Sequence, residues 1–117
     1  MFKKRFFFNR RSNTVTVDKS VRVMGRIDGK NNIVTIKRPA RTSKITIQIS
    51  GNDNRIEIGD LSQLKNISIV IGSNIPANGC RLVIGENFTC ENGCKILMYN
   101  SENVCQIGDS CMFSKSV

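Results

Sequence analysis

The sequence predicts an all-β protein that folds as a single-stranded parallel β-helix, in which short strands stack coil upon coil. The main observation is a repeat: Ile-Gly occurs at Ile58-Gly59, Ile71-Gly72, Ile84-Gly85 and Ile107-Gly108, in steps of 13, 13 and 23 residues. Aromatic residues make up only 6% of the chain, so the core must consist mainly of Ile, Val and Leu. No segment shows a sustained helical period of 3.6 residues. A chain of 117 residues is long enough for one domain.

Nine strands are predicted from short alternating runs of apolar and polar residues, separated by Asn, Gly, Asp and Ser. The earliest two, at 14–17 and 21–24, have the weakest pattern. The others begin 9 to 14 residues apart, at 33–36, 45–49, 54–59, 66–71, 79–85, 93–98 and 103–108. Three of them end in Ile-Gly followed by an acidic residue, namely Asp60, Glu86 or Asp109. Such spacing fits either a β-helix or a β-sandwich.

Repetition of one type of strand favours the β-helix over the sandwich. A sandwich needs hairpins, and its strongest turn signals are two-residue Asn-Gly or Asp-Gly loops. Asn78-Gly79 and Asn92-Gly93 are such signals, but both lead into strands that resemble one another. Stacking each strand on its equivalent in the previous coil would align the inward Ile and Val in ladders. Gly and Asn would then serve the corners, because both tolerate positive φ at little cost.

The charge divides the chain into two parts. Residues 1–44 contain 13 Lys or Arg but only Asp18 and Asp28, a net charge of +11, whereas the remainder contains 5 basic and 7 acidic residues. We therefore predict a basic N-terminal cap with lead-in strands at residues 1–28, and β-helix rungs at residues 29–117. The triple Phe6-Phe7-Phe8 lies in the first part and could cover the first rung, as every solenoid requires.

Five cysteines in a chain without a signal peptide predict free thiols and a cytoplasmic location. The apolar part of the N-terminus is three Phe long, which is too short for an exported or membrane-spanning segment. The cysteine spacings contain no C-x2-C pair and the chain contains no His, so a zinc site is not predicted. Cys80, Cys94 and Cys105 each begin a strand and are expected to be small buried hydrophobes.

The acidic residues that recur after the corner glycines could be taken for a row of catalytic acids. Because Asp60, Glu86 and Asp109 recur with the repeat, corner chemistry explains them better: such side chains accept hydrogen bonds from exposed backbone N–H groups. No Ser-His-Asp set, P-loop or Rossmann fingerprint is present. We therefore assign no catalytic, cofactor-binding or metal-binding residue.

Two segments carry a resemblance to a known family. The segment from Cys105 to Ser114, Cys-Gln-Ile-Gly-Asp-Ser-Cys-Met-Phe-Ser, resembles a rung of the hexapeptide-repeat acyltransferase superfamily, in its polysaccharide and sialic-acid O-acetyltransferase branch. The segment from Gly51 to Asp60 resembles the rungs that precede it in that branch. The likeness covers roughly residues 29–117. It implies a left-handed coil, usually trimeric, that transfers acetyl from acetyl-CoA to a sugar hydroxyl with a His as general base.

The same resemblance predicts what this chain lacks. In the related enzymes, an Arg-Thr-x-Asp-x-His stretch follows the Cys-Met-Phe-Ser rung closely, and this sequence reaches Val117 at about that point without any His. The expectation is therefore the N-terminal scaffold of an O-acetyltransferase for a surface-polysaccharide sugar, inactive as this chain alone and with no cofactor of its own. A homotrimer and a glycan acceptor are the implied partners.

The alternative is a non-enzymatic β-rich binding module whose basic N-terminal face meets an anionic polymer or a membrane surface. Lys and Arg neutralise phosphates without specific geometry, and the three Phe could stack on bases. However, consecutive residues of a strand point to opposite faces, so the Phe triple makes a weak platform for nucleic acid. Contact with an anionic membrane surface remains open, since each basic residue near such a surface contributes about 1 kcal/mol.

Overall fold

A computed structural model describes residues 5–38, 44–60, 63–64, 66–90, 94–109 and 112–113, and within these residues it contains strands and no helix. The strands in chain order are β1 (Arg5–Phe7), β2 (Thr14–Val17), β3 (Arg22–Asp28), β4 (Ile33–Ile36), β5 (Lys44–Ser50), β6 (Arg55–Ile58), β7 (Gln63–Leu64), β8 (Asn66–Ile71), β9 (Arg81–Ile84), β10 (Thr89–Cys90), β11 (Cys94–Met98), β12 (Val104–Ile107) and β13 (Met112–Phe113). The all-β prediction is therefore confirmed.

The strands form three parallel sheets that run along the axis of a solenoid. Sheet A has the strand order β1-β3-β5-β8-β11, sheet B the order β12-β9-β6-β4-β2, and sheet C the order β13-β10-β7. We call the stacked levels layers. Layer 1 contains β1 and β2, layer 2 contains β3 and β4, and layers 3 to 5 each contain one strand of every sheet. The chain thus visits the sheets in turn and stacks each strand on its equivalent.

Every strand pairing in the described part of the chain is parallel, which confirms the β-helix and shows that the sandwich alternative is wrong. Hairpins would have produced antiparallel pairs. In sheet B, Thr14 pairs with Ile33, Ile33 with Arg55, Arg55 with Arg81, and Arg81 with Val104. Successive layers are therefore offset by 19, 22, 26 and 23 residues along the chain.

The core consists of aliphatic ladders that run through the layers. In sheet A, Ile47 lies in register with Ile69, and Ile69 with Ile96. In sheet B, Ile36, Ile58 and Ile84 line up in the same way. These side chains are buried because alternate residues of each strand face inward and the flanking layers cover them. The predicted ladders of inward Ile and Val are thus confirmed.

All nine predicted strands are present, and four short ones had not been predicted. The three strands that end in Ile-Gly and an acidic residue are β6, β9 and β12, and they stack on one another in sheet B. The strands after Asn78-Gly79 and Asn92-Gly93, β9 and β11, lie in different sheets despite their similarity. The unpredicted strands β1, β7, β10 and β13 contain two or three residues each, which is too few for an alternating pattern.

Layer 4 contains the longest connection between sheets A and B. Nine residues separate β8 from β9, whereas four separate β5 from β6 in the layer below. The additional residues include Ser73 to Pro76, all exposed, and Ile75 is 77% exposed at the tip. The backbone N–H of Ser73 donates to the carbonyl oxygen of Ile75 (3.1 Å), so the loop turns back on itself.

Candidate functional site

The recurring carboxylates lie at the corner that follows sheet B. Asp60, Glu86 and Asp109 stand after the corner glycines in layers 3, 4 and 5. The Asp109 carboxylate accepts a hydrogen bond from the backbone N–H of Glu86 at 2.8 Å, and the N–H of Asn87 donates to the carbonyl oxygen of Asp60 at 2.8 Å. For Asp109 this is the corner role that the sequence predicted, because its side chain binds the backbone of the neighbouring layer.

A ladder of buried asparagines occupies the corner between sheets A and B. Asn13, Asn32 and Asn54 are 6% exposed or less, and each stands directly before a strand of sheet B. Asn13 Oδ1 accepts from the backbone N–H of Asn32 (3.0 Å), and Asn32 Oδ1 accepts from that of Asn54 (3.0 Å). Asn54 Oδ1 in turn accepts from the N–H of Cys80 (2.8 Å). The side-chain oxygens thus join four successive layers.

The amide nitrogens of the same side chains complete the ladder. Asn32 Nδ2 donates to the carbonyl oxygen of Gly51 and Asn54 Nδ2 to that of Ala77, both at 3.0 Å. Buried polar groups are stable only when they are hydrogen-bonded, and here both ends of each amide have internal partners. These asparagines are therefore structural and are not offered to a ligand.

A second ladder lies on the exposed side of this corner. Asn52 Oδ1 accepts from the N–H of Lys30 (2.9 Å), Asn78 Oδ1 accepts from the N–H of Asn52 (2.8 Å), and Ser101 Oγ accepts from the N–H of Asn78 (3.0 Å). One corner thus has an inner and an outer line of hydrogen bonds. The sequence predicted positive φ for corner asparagines. The asparagines of these two ladders serve instead as hydrogen-bonding residues.

The cysteines differ from the prediction of free thiols. Cys90 and Cys94 form a disulfide with a Cα–Cα distance of 6.1 Å, so the prediction is wrong for this pair. The prediction rested on the odd count and the missing signal peptide, whereas pairing depends on how close the fold places the end of β10 to the start of β11. Cys80 and Cys105 are free. Cys111 lies outside the described residues.

The positions of the cysteines in the sheets match the expectation of small buried hydrophobes only in part. Cys94 is buried in register with Ile67, and Cys105 is half-buried in register with Leu82. Cys80 is also buried, but it occupies the asparagine ladder, where its thiol donates to the carbonyl oxygen of Asn100 at 3.1 Å. Within the described residues, no group of three His, Cys, Asp or Glu side chains could hold a metal ion.

The basic residues from Arg5 to Arg38 lie at one end of the solenoid, in layers 1 and 2 and their connections. Arg5–Phe7 forms β1, which pairs with β3, so Phe6 and Phe7 cover layer 2 as part of a strand of sheet A, and Phe8 follows that strand. Phe6 and Phe8 are half-buried against the core with their ring centroids 5.2 Å apart, whereas Phe7 is 65% exposed. Phe6 lies in register with Gly25, where a Cβ would overlap the backbone carbonyl of Ile47 in layer 3. Between the Phe rings and β2, layer 1 contains an open groove of about 580 Å3.

Asp18 is the acidic residue at this groove, in the turn between β2 and β3. Its Oδ2 accepts hydrogen bonds from the hydroxyl of Ser20 and from the backbone N–H of Ser20 (3.0 Å). These bonds stabilise the charged form and lower the pKa of the Asp18 carboxyl below its usual 3.8, with a smaller contribution from Arg38 and Lys19. The groove therefore keeps one negative charge among its cations at neutral pH.

Comparison with known proteins found no relative of this chain. No protein family, no curated protein and no solved structure matches the chain. None of the described residues belongs to a helix long and apolar enough to cross a membrane. The fold, the stacked Ile-Gly-acidic corners and the basic end are thus the observations on which a function can be proposed.

Proposed function

We propose that this chain is the scaffold part of an acetyl-CoA-dependent O-acetyltransferase that acts on a surface-polysaccharide sugar. The observation that carries the proposal is the repeated corner of sheet B. Buried Ile58, Ile84 and Ile107 stack in register, and each is followed by glycine and an acidic residue at the same place in its layer. The corners at Ile58 and Ile107 belong to the two segments that resemble the hexapeptide-repeat acyltransferases.

Two features limit how closely the chain follows that superfamily. A strict six-residue repeat would place equivalent residues at multiples of six, whereas the layers of sheet B are offset by 19, 22, 26 and 23 residues. The sequence also contains no His to act as a general base toward a sugar hydroxyl. The proposal therefore assigns this chain a structural role and no catalytic residue.

The same proposal includes the partners that the resemblance implies. Catalysis would need further layers with a His and a site for acetyl-CoA, contributed from outside these 117 residues. A homotrimer, a glycan acceptor and a cytoplasmic location belong to the proposal as well. A left-handed coil is part of it too.

The test compares acetyl transfer by two polypeptides. The chain alone, incubated with acetyl-CoA and capsular or lipopolysaccharide sugars, should show no release of CoA above the rate without protein. The same chain fused to the His-bearing C-terminal layers of a hexapeptide-repeat O-acetyltransferase should release CoA, and replacing that His by Ala should abolish the release. Turnover by the chain alone, or a folded extended protein without turnover, would reject the proposal.

A second candidate is a non-enzymatic binding module. The observation that favours it is the position of the basic residues, which the fold gathers at one end of the solenoid. A salt-dependent retention on an anionic matrix such as heparin would support this candidate. Deletion of residues 1–11 is not a suitable control, because it would remove β1 and uncover sheet A. Point substitutions on the exposed side chains are needed instead.

A further inference from the structure

The solenoid converts a charge gradient along the sequence into a charge gradient along its axis. Because the layers stack in chain order, the basic first third of the sequence becomes one end of the molecule. Layers 1 and 2 and their connections expose eight cations in the described residues, whereas layers 4 and 5 expose Arg81 and Lys95. The eight are Arg10, Arg11, Lys19, Arg22, Arg26, Lys30, Lys37 and Arg38.

These cations surround the end of the solenoid on several sides. Arg10 and Arg11 lie at the corner between β1 and β2, and Lys19 lies in the turn from β2 to β3. Arg26 lies on the outer face of sheet A, where it forms an exposed ion pair with Asp28 (2.8 Å). These eight cations, called the rim below, therefore lie at both corners and on the outer face of sheet A, whereas β2 and β4 contain none on the outer face of sheet B.

The groove at the centre of the same end is lined mainly by Phe and Val side chains, together with polar residues that include Asp18. Val15 and Val17 of β2 are only half-buried, whereas their partners in layer 2, Val34 and Ile36, are 2% exposed or less. The lining of the groove of about 580 Å3 includes Val15 and Val17 together with Phe6 and Phe8. The Arg10 guanidinium lies over the Phe8 ring at 5.9 Å, so the rim and the groove are in contact.

We propose that this end of the solenoid docks on an anionic lipid bilayer, with the solenoid axis pointing away from the membrane. Aromatic and aliphatic side chains gain free energy at the interfacial region of a bilayer, while Lys and Arg bind anionic headgroups. An apolar groove bordered by cations places both kinds of contact at one end of the molecule. The inference holds whether or not the chain is part of an acetyltransferase.

The geometry of the aromatic residues favours a bilayer over a nucleic acid. Single-stranded nucleic acids need exposed aromatic faces on which successive bases can stack. Here the rings of Phe6 and Phe8 are tilted by 45° to one another and half-buried, which leaves Phe7 as the exposed ring of the three. The cations are also spread over two corners and one sheet face, and do not form a single stripe that could follow a phosphate backbone.

The test measures binding of the full chain to vesicles by co-sedimentation. Vesicles of phosphatidylcholine with about one-third phosphatidylglycerol are compared with vesicles of phosphatidylcholine alone. The expected result is binding to the anionic vesicles that is released by high salt, and little binding to the neutral ones. The double substitution Arg11→Gln with Lys19→Gln should weaken the partition coefficient about 30-fold, since two basic contacts are lost.

Matched controls separate this surface from a general effect of net charge. Arg81→Gln with Lys95→Gln removes two exposed cations from the distant layers 4 and 5, and should change the partition coefficient less than about threefold. Phe7→Ser should weaken binding, whereas Ile75→Ser, at another exposed apolar side chain, should leave it unchanged. Circular dichroism establishes that each variant retains its β structure.

Three outcomes would overturn the inference: equal binding to neutral vesicles, equal loss in the two double variants, or no vesicle binding by the folded protein. If the folded protein bound an unstructured DNA oligonucleotide but not anionic vesicles, the rim would be a nucleic-acid surface. A change in oligomeric state caused by Phe7→Ser, without any vesicle binding, would indicate a second copy of the chain on this end. None of these results depends on acetyl transfer.

Discussion

At the scale of single residues, the corner between sheets A and B uses different positions for positive φ and for buried hydrogen bonds. The sequence predicted only positive φ for its Gly and Asn. Asn31, Asp53 and Glu102 adopt positive φ of 58° to 60°, and each directly precedes the residue that continues the chain into sheet B. The next position bears the buried amide in Asn32 and Asn54. Positive φ was predictable from composition. The amide ladder was not recognised, although an Asn before successive sheet B strands was a readable signal.

Replacing Asn54 by Ala should strongly destabilise the protein. The substitution removes the acceptor for the Cys80 N–H and the donor to the Ala77 carbonyl, and both groups lie in the interior of the corner. We expect the free energy of unfolding to fall by about 3 kcal/mol, because each buried group without a partner costs about 1–3 kcal/mol. Urea denaturation measures the change.

The matched control is Asn52→Ala, at the exposed side of the same corner. Asn52 also accepts a hydrogen bond from the neighbouring layer, but water can replace it. The loss should be about 1 kcal/mol or less. Equal losses at positions 52 and 54 would contradict the distinction between the two ladders.

Replacing Gly51 by Ala should be among the most damaging small changes in the chain. Gly51 has φ of 139°, and a Cβ there would overlap the carbonyl oxygen of Ala77 in the next layer. We expect a loss of more than about 3 kcal/mol, or failure to fold, from backbone strain and steric overlap. Gly108→Ala is the control, since a Cβ at Gly108 would meet no atom within 4 Å. Similar thermal midpoints for the two variants would contradict the close stacking of layers at this corner.

At the scale of elements, alternation in the sequence predicts the long strands and misses the short ones. β5 and β8 alternate between buried Ile and outward polar or smaller residues, so the period of two is clear. In β10 two residues form the whole strand, and its partners β7 and β13 are equally short. The position of the strands of sheet C therefore follows from the register of sheets A and B. No local pattern in the sequence could identify it.

Substitutions within β8 test the inward and outward assignment directly. Ile69 is fully buried between Ile47 and Ile96, whereas Val70 is the next residue along and faces outward. Ile69→Ala should lower the free energy of unfolding by about 2–5 kcal/mol, because it opens a cavity within the ladder. Val70→Ala should cost about 1 kcal/mol or less, since its side chain is partly exposed. The reverse order of these losses would contradict the observed register.

At the scale of the whole molecule, the direction of stacking gives the protein two different ends. A chain that coils in one direction places the basic residues from Arg5 to Arg38 in and around layers 1 and 2, and leaves the described part of the later layers with fewer cations. This difference in charge between the two ends follows from the parallel fold, and it could be predicted from the sequence once that fold was assumed. The disulfide between Cys90 and Cys94 could not be predicted from the sequence, because it depends on where the short strand β10 places the Cys90 thiol.

The central claim is that equivalent residues of successive layers lie side by side in parallel register. Nuclear Overhauser effects between backbone protons of the isotope-labelled protein test it most directly. The account predicts a continuous series of contacts from Val34 to Ile56, from Ile56 to Leu82, and from Leu82 to Cys105. Contacts that instead join β6 to β8 in antiparallel pairs would contradict the parallel β-helix, and the proposals built on it would fail with it.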